Sequence, residues 1–198
     1  MECASPLHRC LLRDCFGLIH YSLPAMEVSS VSDLQSEADR EEFRGLCADI
    51  GFIVIHWALI EQQMDNWVRA AFANAEGRAL SGSAGIPRSL SKKAKFLKSC
   101  FLNIPTLQPL REDGRSLVTR IEEVAKNRHY LVHGAIISMS PSNGNFQFRI
   151  MEYDAEHIQI SRFEINANEF DQFKKILENI FTDALSVSQR LGRLTGSV

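Results

Sequence analysis

The sequence predicts a mainly α fold: an up-and-down bundle of about four helices, with a small antiparallel β-meander inserted before the last helix. Two observations support this prediction. Towards each end of the chain, apolar residues recur in uninterrupted steps of three and four, the pattern of a helix that buries one side. Between these segments, the residues after Gly134 change to an alternating pattern, which is typical of strands.

The first long helix is predicted over residues 33–74. Ser32 or Asp33 can cap its start, and Gly77 follows its end. A helix of this length cannot bury its apolar seam alone, so it must pack against other helices or a second subunit. The seam consists of Phe43, Leu46, Ile50, Ile53, Trp57, Ile60, Met64, Trp67 and Ala71.

Two shorter helices are predicted in the middle of the chain. Residues 76–89 are rich in glycine, proline and serine and are predicted to form a loop. A short helix then begins at Ser89 or Ser91 and runs through Asn103, and a third helix runs from Leu110 to about Gly134. The seam of this third helix is Leu117, Ile121, Val124, Arg128, Leu131 and Ala135.

The meander is predicted over residues 135–165. Its first strand is Ala135 to Ser140, an Asn-Gly turn follows, and apolar residues alternate in the second strand at Phe146, Phe148 and Ile150. A third strand begins near Ile158. Its alternation slips at Arg162 and Phe163, which indicates a bulge or a strand end.

The last helix is predicted to begin after Asn166, which forms a capping box with Glu169. Like the first helix, it keeps three-four steps over its whole length and therefore needs helical partners. Its seam is Phe170, Phe173, Leu177, Ile180, Ala184, Val187, Leu191 and Leu194.

Composition restricts the class of protein only broadly. The chain has 198 residues, and we predict one helical domain over residues 33–195, preceded by a disordered or extended segment over residues 1–32. The net charge of -2 gives no overall attraction to nucleic acid, so contact with RNA would require a local basic patch. No uninterrupted apolar run approaches the roughly 18 residues of a membrane-spanning helix. We therefore expect a cytoplasmic protein without a membrane partner.

The stretch from Lys126 to Gly134 is the candidate functional motif. Arg128, His129 and His133 place one permanent cation and two imidazoles, the side chains most often used as general acid or base, within about two turns of helix. This combination is suited to holding and cleaving a phosphodiester. An arginine in a helix seam also needs compensation for its lost hydration, from a carboxylate, from backbone carbonyls or from a phosphate ligand.

The motif Arg128-His129-Tyr130-Leu131-Val132-His133, at a helix end in a helical bundle, resembles the signature of the HEPN (higher eukaryotes and prokaryotes nucleotide-binding) domain. The stretch from Trp57 to Trp67, with Glu61, also resembles the first long helix of bacterial members. The resemblance implies an endoribonuclease that needs no metal or cofactor, and a homodimer in which two motifs form one cleft. Family members often serve as toxins or defence effectors, some with an antitoxin partner.

The resemblance also implies roles for individual residues. Arg128 would orient and neutralise the scissile phosphate, His133 would act as general base or acid, and His129 would occupy the polar position that tunes them. The neighbouring Asn127 and Tyr130 are assigned supporting positions.

The spacing of Arg128 and His133 sets a geometric condition on these roles. On an ideal helix, two residues five positions apart in sequence are separated by about 140 degrees around the axis. Local unwinding before Gly134, the reach of the arginine or a second subunit must therefore bring Arg128 and His133 together.

A basic cluster on the short helix is the candidate surface for RNA. Its members are Arg88, Lys92, Lys93 and Lys95, with Lys98 one turn further on. They are interpreted either as contacts to the phosphate backbone or as ordinary solvated lysines. Glu61 is likewise interpreted either as a partner to the basic site or as a carboxylate at the rim of the seam, paired with a neighbouring cation.

Three alternative hypotheses stay open. His129 and His133, four residues apart, could bind a metal, but Tyr130 stands where a zincin helix has glutamate, and only the distant His157 could be a third ligand. The motif could instead have a structural role and join helices. The chain as a whole could be a non-catalytic module that binds a nucleotide or a protein.

Overall fold

The computed structural model describes residues 36–82, 85–140, 144–153 and 158–195, together with the backbone of Ile19 and His20. The prediction of a mainly α fold with an antiparallel meander before the last helix is confirmed. In chain order the elements are β1 (Ile19–His20), α1 (Glu37–Ala73), α2 (Ala75–Ser81), α3 (Leu90–Asn103), a 3-10 helix (Pro105–Leu110), α4 (Arg111–His133), β2 (Ala135–Ser140), β3 (Asn145–Tyr153), β4 (Ile158–Asn166) and α5 (Ala167–Thr195).

The chain forms two compact units, and each is described by itself. The sheet unit comprises Met1–Ile53 and Asn127–Lys174, and the bundle unit comprises Val54–Lys126 and Lys175–Val198. The sheet unit therefore includes the strands and the end of α4. The bundle unit includes α2, α3 and the larger parts of α1, α4 and α5.

Four helices enclose the core of the bundle unit, and polar contacts between them form a closed ring. Each helix contacts two others, so each can bury its apolar side towards the centre. In order around the ring, Lys93 of α3 pairs with Asp65 of α1, Lys98 of α3 with Glu122 of α4, Arg120 of α4 with Asp183 of α5, and the indole of Trp67 in α1 with Ser188 of α5.

The contacts also set the directions of the helices in the bundle unit. The His56 ring meets the Phe181 ring edge-on at 6.4 Å, and one heptad later Ser188 Oγ donates a hydrogen bond to Gln63 Oε1 at 2.8 Å. Because both numbers rise together, α1 and α5 run parallel. α4 and α5 run in opposite directions, since Arg120 pairs with Asp183 whereas Asp113 pairs with Arg190.

Both predicted long seams are buried. In α1, Leu46, Ile53 and all later seam residues are buried, whereas Phe43 and Ile50 are half-buried. In α5, burial extends from Phe170 to Leu191, and only Leu194 at the end is exposed. The three-four periodicity therefore identified the core sides of both helices correctly.

The predicted bounds of the first helix need two corrections. Ser36 caps α1: its Oγ accepts a hydrogen bond from the Asp39 amide, and its own amide donates to Asp39 Oδ2. Ser32 and Asp33 lie outside the described residues. Gly77 follows the end of α1, as predicted, but it lies inside the short helix α2, so the loop prediction over residues 76–89 is wrong in its first part. There the Arg78 guanidinium donates to two carbonyls at the end of α1 and stabilises a compact turn.

The sheet has the order β1-β4-β3-β2, with all neighbouring strands antiparallel. The predicted break at Arg162 and Phe163 is wrong, because β4 stays in unbroken register with β3 from Ile158 to Asn166. The buried side of β4 is Ser161, Phe163 and Ile165, so Ile160 lies on the opposite side. The prediction failed because a serine faces inward and an isoleucine faces outward. The register shift occurs instead in β2, between Ile136 and Ser138.

Polar contacts connect α5 to the rest of the sheet unit. The predicted capping box is confirmed: Asn166 Oδ1 accepts from the Glu169 amide at 3.0 Å, and Glu169 Oε2 accepts from the Asn166 amide at 2.7 Å. Further along, Lys174 binds Asp49 of α1 and Asp171. Hydrogen bonds to these two carboxylates raise the pKa of the Lys174 ammonium.

By length and composition alone, α1 could cross a membrane. Its most apolar 18-residue window has a mean hydropathy of 1.6, and 22% of that window is buried. A buried core helix meets the same two criteria, so this finding is weak evidence for a membrane span.

Candidate functional site

The candidate motif lies at the end of α4, where the helix joins the sheet. The helix remains regular through His133, and the Gly134 amide donates to the Tyr130 carbonyl at 2.9 Å. β2 begins at the next residue, Ala135. Local unwinding before Gly134, one of the three ways suggested for bringing Arg128 and His133 together, does not occur, because the helical hydrogen bonding continues to this residue.

Aromatic packing anchors this end of α4 within the sheet unit. Tyr130 is only 3% exposed, and its ring lies 5.7 Å from that of Phe163. Phe163 in turn stacks on its cross-strand partner Phe148, with ring centroids 4.9 Å apart. Tyr130 therefore has a structural role, since it fixes the rotation of the helix against the sheet.

With Tyr130 and Leu131 facing inward, His129 and His133 are exposed to solvent. They are four residues apart and share one side of the helix. Their ring centroids are 4.7 Å apart and the ring planes are inclined by 46°. Two imidazoles at this separation can both reach one small chemical group of a ligand and act on it together.

Arg128 differs from its predicted placement. It is half-buried, with a buried Nε, whereas Asn127 is 7% exposed and occupies the buried seam position that follows Val124. The buried position in the seam is therefore filled by the side-chain amide of Asn127, which is less costly to bury than a guanidinium. Because the helix is regular, Arg128 and His133 remain about 140 degrees apart around its axis. The reach of the arginine or a second subunit is still needed to bring them to one phosphate.

The predicted basic cluster belongs to the bundle unit and divides into two parts. Lys93 is half-buried and pairs with Asp65 at 2.6 Å, and Lys98 pairs with Glu122. These ion pairs join helices, so both lysines have a structural role. The other three predicted residues, Arg88, Lys92 and Lys95, are exposed.

Glu61 also lies in the bundle unit, where it is half-buried. The described part of the chain shows no ion pair to its carboxylate, so the predicted pairing with a neighbouring cation is not observed there. For the metal hypothesis, no group of three or more His, Cys, Asp or Glu side chains within the described ranges is arranged to hold an ion. His157 lies outside those ranges.

No pattern in the sequence indicates that two arginines of the sheet unit lie next to each other. Arg149 of β3 and Arg162 of β4 are direct cross-strand partners. Their pairing depends on strand register, which residue type alone does not reveal. Aligning the strands by their buried residues, Phe148 with Phe163, would have identified it.

Comparison of the chain with known protein families, with curated proteins and with solved structures finds no match. The resemblance to the HEPN domain therefore depends on the motif and its setting at the end of a helix.

A substitution at Gly134 tests how closely the chain packs where the end of α4 meets the sheet. A Cβ on Gly134 would lie 2.5 Å from the Tyr130 carbonyl oxygen and 3.3 Å from Phe148 Cβ. We therefore expect Gly134→Ala to lower the free energy of unfolding by about 1–3 kcal/mol, because the added Cβ overlaps the Tyr130 carbonyl in the last turn of α4 and is crowded against Phe148 of β3. Denaturant titration measures this loss.

The matched control is Gly51→Ala in α1, where an added Cβ meets no atom within 4 Å. There alanine should raise stability by about 0.5–1 kcal/mol through its higher helix propensity. Equal stability of the Gly134→Ala variant and the wild type would contradict the close approach.

Proposed function

We propose that this protein is a metal-independent endoribonuclease of the HEPN type. The observation that carries the proposal is the pair of exposed imidazoles, His129 and His133, with ring centroids 4.7 Å apart and next to the half-buried Arg128. Phosphodiester cleavage without a metal needs a base, an acid and a fixed cation, and these three residues provide all three.

The proposed reaction is an in-line attack of the ribose 2'-oxygen on the adjacent phosphorus. One imidazole accepts the proton of the 2'-hydroxyl, and the other donates a proton to the departing 5'-oxygen. The new bond joins the 2'-oxygen to phosphorus, and the bond to the 5'-oxygen breaks. The products are a 2',3'-cyclic phosphate and a 5'-hydroxyl. Arg128 neutralises the non-bridging phosphate oxygens as charge develops on them.

A homodimer is part of the proposal. The separation of about 140 degrees between Arg128 and His133 favours a cleft in which one subunit supplies the arginine and the other the histidines. The exposed Arg88, Lys92 and Lys95 of the bundle unit would contact phosphates of the RNA. By the same resemblance we propose a cytoplasmic toxin or defence effector, whose activity an antitoxin protein would restrain.

A substrate lacking the attacking group tests the reaction directly. RNA oligonucleotides should be cut to fragments ending in cyclic phosphate and 5'-hydroxyl, which mass spectrometry distinguishes. The same sequence with a 2'-deoxy sugar at the cleaved position should stay intact, because the nucleophile is missing. Cleavage of both would contradict the mechanism. Tight binding of RNA without cleavage of either would favour a non-catalytic binding module.

A further inference from the structure

The two exposed imidazoles at the end of α4 also have the arrangement of a metal site with two protein ligands. His129 and His133 are four residues apart on a regular helix, so both rings project from one side of it. Histidines at this spacing supply two zinc ligands in metalloprotease helices. Imidazole is a ligand that suits Ni²⁺, Cu²⁺ and Zn²⁺.

The distance between the two rings fits a shared metal ion. An ion lies about 2.0–2.1 Å from each imidazole nitrogen that binds it. When two imidazoles bind one ion at an angle of about 90–109°, their ring centroids are therefore about 4.5–5.2 Å apart. The observed separation of the His129 and His133 centroids is 4.7 Å. Both side chains can thus reach one ion without a change in the helix backbone.

The surroundings of the pair indicate an open site. Within the part of the chain that the structure describes, no group of three or more His, Cys, Asp or Glu side chains is arranged to hold an ion, so water fills the other coordination positions. Water has access because both imidazoles are exposed. Arg128 lies about 100 degrees from His129 around the helix axis, so its positive charge is directed to another side of α4. A site of this kind binds its metal reversibly, unlike a closed site with four protein ligands.

We propose that His129 and His133 together bind one divalent transition-metal ion such as Ni²⁺, Cu²⁺ or Zn²⁺, and that this ion inhibits RNA cleavage. A nitrogen that binds a metal uses the lone pair that would otherwise take up a proton. An ion shared by both rings therefore removes the general base and the general acid together. The inhibition rests on the proposed function, whereas the metal site itself does not. The ion is an inhibitor of the proposed reaction and not a cofactor for it.

Calorimetric titration with Ni²⁺ tests the metal site without RNA. Ni²⁺ is the probe because imidazole suits it, whereas cysteine thiolates select softer ions. The wild type should bind with a dissociation constant of about 1–200 μM, which corresponds to half the binding free energy of a four-ligand zinc site. His129→Ala and His133→Ala should each bind about 100-fold more weakly, because a single imidazole cannot chelate the ion. Glu123→Ala removes an exposed carboxylate from the same helix and should bind as the wild type does.

Nuclear magnetic resonance locates the bound ion independently of the variants. Paramagnetic Ni²⁺ should broaden the imidazole signals of His129 and His133 at concentrations near the dissociation constant. A wild type that does not bind Ni²⁺ would overturn the metal site. Wild-type affinity in both histidine variants would do the same, and so would sharp signals from both rings when Ni²⁺ is bound.

Cleavage of unmodified RNA tests the inhibition. Ni²⁺ should stop cleavage by the wild type, with a midpoint close to the dissociation constant from calorimetry, and excess EDTA should restore the rate. Mg²⁺ at the same concentrations should not inhibit, because it prefers oxygen ligands. This control separates binding to the histidines from a general effect of divalent ions on RNA. Undiminished cleavage when the site is saturated with Ni²⁺ would overturn the inhibition.

The metal site and the proposed function fail separately. If the histidines bind Ni²⁺ but the wild type leaves RNA intact in EDTA, the metal site stands and the nuclease is refuted. If the wild type cleaves RNA but does not bind Ni²⁺, the nuclease stands and the metal site is refuted.

Discussion

His133→Ala is expected to lower the rate of RNA cleavage by about 10²–10⁴-fold without a measurable change in stability. The rate falls because the variant lacks one of the two groups that transfer protons. Stability is unaffected because His133 is exposed at the end of α4, whereas Tyr130 and Leu131 anchor that end. Single-turnover cleavage rates and thermal unfolding of the same samples measure the two quantities.

His129→Ala should cause a loss of similar size, since its ring is the second member of the pair. The variant that lacks both histidines should cleave RNA at about the rate of the slower single variant. The effects of removing groups that act as a unit do not add. Glu123→Ala removes an exposed charged side chain from the same helix and should cleave at the wild-type rate. Rates within twofold of the wild type for both histidine variants would exclude the imidazole pair from the chemistry.

The largest expected effect on stability is at Trp67 in the bundle unit. Its side chain is 1% exposed, and its indole Nε1 donates to Ser188 Oγ at 2.7 Å. We expect Trp67→Ala to lower the free energy of unfolding by about 3–5 kcal/mol, through the lost apolar burial and the cavity that remains. Trp67→Phe keeps most of the burial and should lose about 1–2 kcal/mol with the hydrogen bond.

Urea titrations followed by circular dichroism provide these values. The matched control is Ile55→Ala, which truncates a large apolar side chain of the same helix that is 61% exposed. Its effect should stay within about 0.5 kcal/mol. If Trp67→Ala cost no more than this control, the core described for the bundle unit would be wrong.

The parts of the fold that follow local rules could be predicted from the sequence. Three-four spacing identified the buried sides of α1 and α5, and Asn166 with Glu169 identified the start of α5. Both depend on residues close together in the chain. The prediction for β4 failed because Ser161 lies on the buried side and Ile160 does not, a choice set by pairing with β3.

The candidate site shows the same limit. The closeness of His129 and His133 follows from their spacing of four residues on a helix, so the sequence is enough to predict it. The burial of Asn127 in place of Arg128 depends on how the Tyr130 ring packs on Phe163. The pairing of Arg149 with Arg162 depends on strand register. Neither property is encoded in neighbouring residues, so both required the structure.

The most direct test of the proposed nuclease is cleavage of single-stranded and structured RNA in the presence of EDTA, with wild type and His133→Ala compared. We predict that the wild type cleaves in the chelator and that the variant does not, because the proton transfers depend on imidazole and not on a metal. Intact RNA with both proteins, or equal cleavage by both, would contradict the account.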